Sequence, residues 1–298
     1  MGINTKAIKR RIKSVGSTKK ITKAMEMISA VKMRRAVANV LATRSYASLA
    51  WQMLTDVARK TNVNLHPLLE KRVVKKVAFA LIVSNRGLAG GFNSRMLMET
   101  DAMIKKLKNQ GVDVEVFVNG RRGRKIYQQF GHTIVAEFDK IDLTMKVDEI
   151  TPMSNMIVSD YISKKYDEVY LGYTDYVSAI KQIPRIKKLL PLGMEAEEAF
   201  GSAAQTENER TLPTAEFIFE PNPAIVLDML LPRLVEVQIY QAVLESDASE
   251  HSARMMAMRN ASDAAEDMIN ELNYNFNKAR QAAITQEISE IVGGAAAL

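Results

Sequence analysis

Nine residues, Asn85-Arg86-Gly87-Leu88-Ala89-Gly90-Gly91-Phe92-Asn93, have the small-residue density of a turn that can cradle phosphate. Backbone amides approach a ligand closely where Cβ atoms are missing. The stretch follows an apolar run, Val73–Ser84, and precedes a helical pattern. Its spacing fits neither G-x-G-x-x-G nor G-x-x-x-x-G-K-[ST], and the plainer reading is a tight strand-to-helix turn. A second cluster, Arg121-Arg122-Gly123-Arg124-Lys125, has the charge to grip phosphates, or is the basic start of a helix on a solvated face. Catalytic chemistry finds little to work with. There is no Cys, which removes thiolate metal sites, Cys nucleophiles and disulfides. His66, His132 and His251 are far apart, so no His-based metal motif exists. No G-x-S-x-G or HExxH is present, and Asp160, Asp167 and Glu168 read as solvated charges at a helix end. The expectation is a chain without intrinsic catalysis, cofactor or metal.

Charge is unevenly divided. The formal net charge of the 298 residues is +7. Residues 1–60 hold 14 Lys/Arg against Glu26 and Asp56, a net +12, while residues 210–298 hold six against 13, a net −7. A basic head and an acidic tail imply complementary ends, or separate acidic and basic partners. The basic run from Lys6 to Lys23 has the charge of a nucleic-acid-binding helix, but the apolar positions beside it favour protein partners. No apolar run approaches the roughly 20 residues of a membrane span, and the first 20 residues contain no secretory block. Membrane association is expected to come through partners.

The elements that position these residues form three parts. From Leu234 to Val292 there is no Pro or Gly, with Pro232 before and Gly293-Gly294 after, so a long helix is expected between them. A 4-3 stepping pattern runs through Leu230, Leu234, Val237, Gln241, Leu244, Ala248, His251, Met255, Met258, Ser262, Ala265, Ile269, Leu272, Phe276, Ala279 and Ala283. None of these positions is charged, where random placement would give about four charges, so the stripe reads as a coiled-coil seam. Thr5–Thr61, interrupted only by Gly16, reads as a second long helix. Its apolar stripe is less regular and changes phase: Ile8, Ile12 and Val15, then Ile21, Met25 and Ile28, then Met33, Val37, Val40, Ala47, Trp51 and Leu54. Two such helices most simply pair antiparallel. Between them, strands at Val73–Ser84, Val112–Val118, Thr133–Phe138 and Glu168–Thr174 alternate with helices at 93–109, 121–130 and 150–166. That alternation implies a Rossmann-like α/β domain with a parallel sheet. Leu192–Leu212 reads as a loop before a strand, Glu216–Glu220. The expected division is an N-terminal long helix over 1–66, an α/β domain over 67–212, and a final strand and long helix over 213–298.

Two further features concern surfaces. Met25, Met27, Met33, Met255, Met256 and Met258 form either ordinary coiled-coil core or an adaptable sliding face. The last residues, Gly293 to Leu298, carry no charged side chain, as suits a fraying end or a slippery tip inside a partner.

The stretch Lys19-Lys20-Ile21-Thr22-Lys23-Ala24-Met25-Glu26-Met27, with Lys32-Met33-Arg34, resembles the opening of the γ subunits of F-type ATP synthases. Near the other end, Ile284, Thr285, Glu287, Glu290, Gly294 and Ala295 follow the order of that family's closing signature. Arg86-Gly87-Leu88 with Gly90, Gly91 and Asn93, and Leu189-Leu190-Pro191-Leu192, also fit. The likeness spans residues 3–298 and begins close to Met1, which argues for a bacterial-type chain without a transit peptide. It implies a rotor: an asymmetric antiparallel coiled coil inside a ring of three α and three β subunits. Its α/β domain would sit near the ε subunit and the membrane ring of c subunits, at the cytoplasmic face of the bacterial plasma membrane. The shaft would couple ion flow through the c-ring to sequential changes at the β sites, and would regulate ATPase activity and proton flow. The resemblance implies a coupling surface at Lys9, Lys20, Thr22, Lys23, Met25, Glu26, Arg34, Arg280, Gln281, Thr285, Glu287, Glu290 and Gly294. Without Cys, the thiol switch of chloroplast relatives cannot operate. The alternative reading is a basic coiled-coil scaffold or nucleic-acid binder.

Overall fold

The computed structural model describes residues 5–60, 66–129, 131–140, 147–192 and 223–296, with side chains described outside 44–60, 126, 129, 223, 224 and 296. The elements are α1 (Thr5–Lys60), β1 (Lys76–Ile82), α2 (Phe92–Asn109), β2 (Asp113–Asn119), α3 (Arg121–Gln129), β3 (Thr133–Phe138), α4 (Thr151–Ile162), β4 (Glu168–Tyr176), β5 (Gln182–Leu190) and α5 (Pro223–Ala296). Short 3₁₀ turns occupy Pro67–Leu69 and Val147–Glu149. The expected strand Glu216–Glu220, the loop beyond Leu192, and the side chains of Ala47, Trp51 and Leu54 lie outside the described residues. No described helix is long and apolar enough to cross a membrane.

Two compact units result: Met1–Ser29 with Arg254–Leu298, and Ala30–Ala253. The second contains the sheet, in the order β3-β2-β1-β4-β5. Strand β1 is parallel to both β2 and β4, and β2 to β3. Burial on both faces makes β1 apolar from Val77 to Ile82. Val77, Phe79, Leu81 and Val83 pack with Leu97 and Ile104 of α2 and Tyr127 of α3. Ala78, Ala80 and Ile82 face α4 and the stretch of α5 from Leu227 to Val243. Each fully buried Phe, Leu or Ile contributes roughly 2–3 kcal/mol.

The sequence reading needs three corrections. First, β5 was not expected. It pairs antiparallel to β4 at the sheet's edge. Pro184 and the cations Arg185, Lys187 and Lys188 disguise it as a loop, yet an edge strand tolerates proline and charge. Second, α5 starts at Pro223 and runs through Pro232. A proline there leaves the Asp228 carbonyl without its helical donor. Burial of Leu227, Leu231, Leu234 and Val235 in the core holds the helix through it. At the far end α5 also runs through Gly293 and Gly294, since glycine weakens a helix by about 1 kcal/mol without forbidding it.

Third, α1 does not change phase. Its covered positions include Ile8, Ile12, Val15, Lys19, Thr22, Glu26, Ser29, Met33, Ala36, Val40 and Thr43, an unbroken 4-3 series. The apparent shift followed Ile21 and Ile28, which are 61% and 58% exposed. The seam continues instead through polar side chains.

Candidate coupling surface of the helical pair

The expected α5 stripe is covered over most of its length. Leu234, Val237, Gln241, Leu244, Ala248, His251, Met258, Ser262, Ala265 and Ala279 are buried, and Leu230, Met255, Ile269, Leu272 and Phe276 are half-buried. Ala283 is exposed, as is every residue from Arg280 to Ala295. Within the Ala30–Ala253 unit, Ala36 and Val40 pack on Leu244 and Ala248. Thr43 Oγ1 lies 2.7 Å from Gln241 Oε1 in the same seam.

In the other unit polar pairs interrupt the apolar positions of the seam. Thr22 Oγ1 lies 2.7 Å from Ser262 Oγ. Thr22 also reaches the Lys19 carbonyl at 3.0 Å, and Ser262 the Met258 carbonyl at 2.9 Å. Two hydroxyl protons therefore serve three contacts, so one is always without a proton. Lys19 Nζ meets Glu266 Oε1 at 2.9 Å. Both pairings run antiparallel, as the charge division suggested.

The resemblance-derived residues fall into separate groups. Thr22 is buried in the seam; Met25 and Glu26 flank it half-buried; Lys23 is exposed and pairs with Glu26 at 2.9 Å. Lys9, Lys20 and Arg34 are exposed, as are Arg10, Lys13 and Arg35. Arg280, Gln281, Thr285, Glu287, Glu290 and Gly294 lie on the bare end of α5. There Thr285 Oγ1 donates to the Gln281 carbonyl at 3.0 Å, and an added Cβ at Gly294 would meet nothing within 4 Å. Arg280 is 18 residues beyond Ser262, or about 27 Å along the helix. The surface is therefore two levels on one shaft rather than a single cluster. Of the methionines, Met258 is buried, Met25, Met33, Met255 and Met256 are half-buried, and Met27 is 58% exposed.

The glycine-rich turn and the arginine cluster serve packing. Asn93 Oδ1 accepts from the Ser84 amide at 3.0 Å and its Nδ2 donates to Ser84 Oγ at 2.6 Å, closing the turn on itself. The Arg122 guanidinium fills the space beside Gly87, where an added Cβ would lie 2.5 Å away. Ala89 and Phe92 are covered by Ala253 of α5. A doubly wound sheet binds ligands at the carboxyl ends of its strands, where the order reverses on either side of β1; here α5 occupies that position. Gly123 lets α3 approach the sheet, since a Cβ there would lie 2.6 Å from Val118 Cγ1. Arg121 pairs with Asp139 and Arg124 with Glu137, at 3.1 and 2.9 Å.

One charged cluster had no sequence signal beyond the acidic run Glu245-Ser246-Asp247-Ala248-Ser249-Glu250. The Lys140 ammonium, fully buried, lies 2.5 Å from Asp247 Oδ1 and 2.7 Å from Glu250 Oε2. Burial disfavours its charge, but Asp247 and then Glu250 outweigh burial and raise its pKa above the ordinary lysine value. Lys140 is therefore charged at neutral pH.

Two long helices that pair antiparallel, with a doubly wound domain inserted between them in sequence, define the class of protein by its fold. The family model for ATP synthase matches residues 4–298. The ATP synthase gamma chain of Herpetosiphon aurantiacus is 42% identical over 303 residues, covering 99% of both chains. The fold is similar to a chain of the Tetrahymena thermophila mitochondrial ATP synthase central stalk and c-ring, at TM-score 0.60 and 22% identity over 81% of this chain and 99% of that one. It is also similar to a chain of the Euglena gracilis mitochondrial ATP synthase rotor, at TM-score 0.62 and 15% identity over 94% and 98%. The chain belongs to the ATP synthase gamma-chain family, whose members are non-catalytic subunits of that complex.

Proposed function

We propose that this chain is the central shaft of a rotary ATP synthase and that its two-helix unit is the surface its ring partners read. One observation carries the reading. Helix α5 continues for sixteen exposed residues past Ala279, with Ile284, Ile288, Ile291 and Val292 on its surface. An unpaired helix with exposed aliphatics is completed by another chain. The proposed partners are a ring of three α and three β subunits around the helices, with the ε subunit and the c-ring beside the α/β domain. Residues 1–66, 67–212 and 213–298 are its functional segments, and the cytoplasmic face of the bacterial plasma membrane is its site.

Such a shaft needs no chemistry of its own. It shifts a partner's equilibrium only through contacts that differ between the partner's states. Exposed cations at Lys9, Lys20, Lys23 and Arg34 supply individually weak contacts to acidic loops of β. Thr22, Met25 and Glu26 set the helix pair's shape at the lower level. Arg280, Gln281, Thr285, Glu287, Glu290 and Gly294 present the upper level. As the shaft turns, each β subunit meets a different face, so ion flow through the c-ring becomes a sequence of affinity changes, and the reverse.

Co-expression with α and β tests the reading. The expected result is one copy of this chain per hexamer and ATPase activity that depends on it. A chain that stays apart from the hexamer, or binds DNA with steep salt dependence, contradicts it.

A further inference from the structure

Torque must cross the joint between the α/β domain and α5, and both lie in the same compact unit. Between Gln241 and Ala253, α5 is buried at every residue except the half-buried Asp247. Several of its contacts there are directional. Ser246 Oγ accepts from the Thr174 amide at 3.0 Å, and Ser249 Oγ donates to the Thr174 carbonyl at 3.1 Å. The Tyr176 amide donates to Glu245 Oε2 at 3.2 Å, and Ser252 Oγ to the Ala179 carbonyl at 2.6 Å. Side chains of α5 thus cap the backbone at the end of β4.

At 100° per residue, Ser246, Ser249 and Ser252 define one side of the helix. Leu244 and Ala248, which pack on Val40, lie roughly 120° away on a second side. Asp247 and Glu250 lie roughly 130° away on the third. Lys140 is what meets them there. Its segment is itself anchored, because Asn85 Nδ2 donates to the Lys140 carbonyl at 2.5 Å and Asn85 Oδ1 accepts from the Arg121 amide at 3.2 Å. The end of β1, the start of α3 and the segment after β3 thereby share one tie to α5.

We propose that Lys140, clamped between Asp247 and Glu250, is a torque-bearing positioning residue that stops α5 rolling on the sheet end, so that rotation of the α/β domain reaches the helix. Two contact sides allow a cylinder to roll; three equally spaced sides do not. A hydrogen-bonded ion trio also keeps direction under load, where apolar contacts slide. The proposal rests on the central-shaft reading.

The complete synthase in sealed vesicles tests it, with ATP hydrolysis and ATP-driven ion pumping measured on the same preparation. Lys140→Met is expected to lower ions pumped per ATP at least about fivefold, a typical coupling factor, with hydrolysis kept within about twofold. Lys140→Arg recovers most of the ratio. The triple variant Lys140→Met/Asp247→Asn/Glu250→Gln removes the buried charges together, so it restores the thermal midpoint but not the pumping ratio; it decides the matter if Lys140→Met fails to assemble. A triple variant that pumps as the parent does, or loses hydrolysis and pumping equally, overturns the proposal. If instead the parent chain fails to assemble or to support hydrolysis, it is the shaft reading that fails.

Discussion

Where Ala36 and Val40 meet Leu244 and Ala248, the two long helices are joined by apolar interdigitation, and α5 is enclosed on all sides. At Lys19, Thr22, Glu26 and Ser29 the same pair of helices is joined by a hydroxyl contact and an exposed ion pair, with Ile21, Met27 and Ile28 facing outwards. The first arrangement fixes a helix. The second holds two helices together while leaving most of each circumference for other chains. Burial energy scales with apolar area, so the first contact is the firmer of the two.

The largest break in this comparison comes from Leu244→Ala. It removes a buried side chain from the apolar seam and is expected to cost about 2–5 kcal/mol in urea unfolding of the chain. A loss below about 1 kcal/mol would mean that this seam is no firmer than the polar one.

A smaller effect is expected from Glu115→Gln, within the sheet domain. Glu115 meets Lys76 Nζ at 2.6 Å and Tyr166 Oη at 2.5 Å. Burial pushes its pKa up, but the hydrogen bonds from Lys76 and Tyr166 and the charges of Lys76 and Lys165 win, leaving it below the ordinary glutamate value. A depressed carboxylate contributes stability that is present above the ordinary carboxylate range and lost as pH falls through the folded value. The substitution should cost about 1–3 kcal/mol at pH 7 and flatten the acid limb of a stability profile. An unchanged acid limb would remove Glu115 from this role.

Replacing both hydroxyl partners, Thr22→Val with Ser262→Ala, should change stability by less than about 1 kcal/mol, since no unpaired polar group is left behind. Hydrogen exchange along the tip of α5 would report it, and a large slowing would show that the polar seam had kept the helices loose. Lys19→Ala should cost about 0.5 kcal/mol or less, and that cost should vanish in high salt. A salt-independent loss would make Lys19 part of the core.

Much of this was legible in the residues. The uncharged 4-3 stripe located α5 because a buried seam excludes charge wherever it runs. Strands β1 to β4 showed themselves through apolar, β-branched runs, and the absence of Pro and Gly from Leu234 to Val292 placed Thr285 and Glu287 on a helix. What failed has physical causes. The α1 seam was misread because apolarity was taken as burial, whereas Ile21 and Ile28 are outward-facing and Thr22 and Ser29 are inside. Strand β5 was hidden by edge-strand tolerance for Pro184 and three cations. The Lys140 trio joins positions more than 100 residues apart, and no local pattern marks such a pair. Neither did the arginine cluster betray that Gly123 matters for close packing and that Arg121 and Arg124 are already paired.

Because the chain has no Cys, a single Ile180→Cys in the exposed β4–β5 turn gives one attachment point for a bead. Immobilised α3β3 rings carrying this variant, supplied with ATP, are predicted to turn the bead continuously in one direction. A complex that hydrolyses ATP while the bead only diffuses about a fixed angle would contradict the shaft.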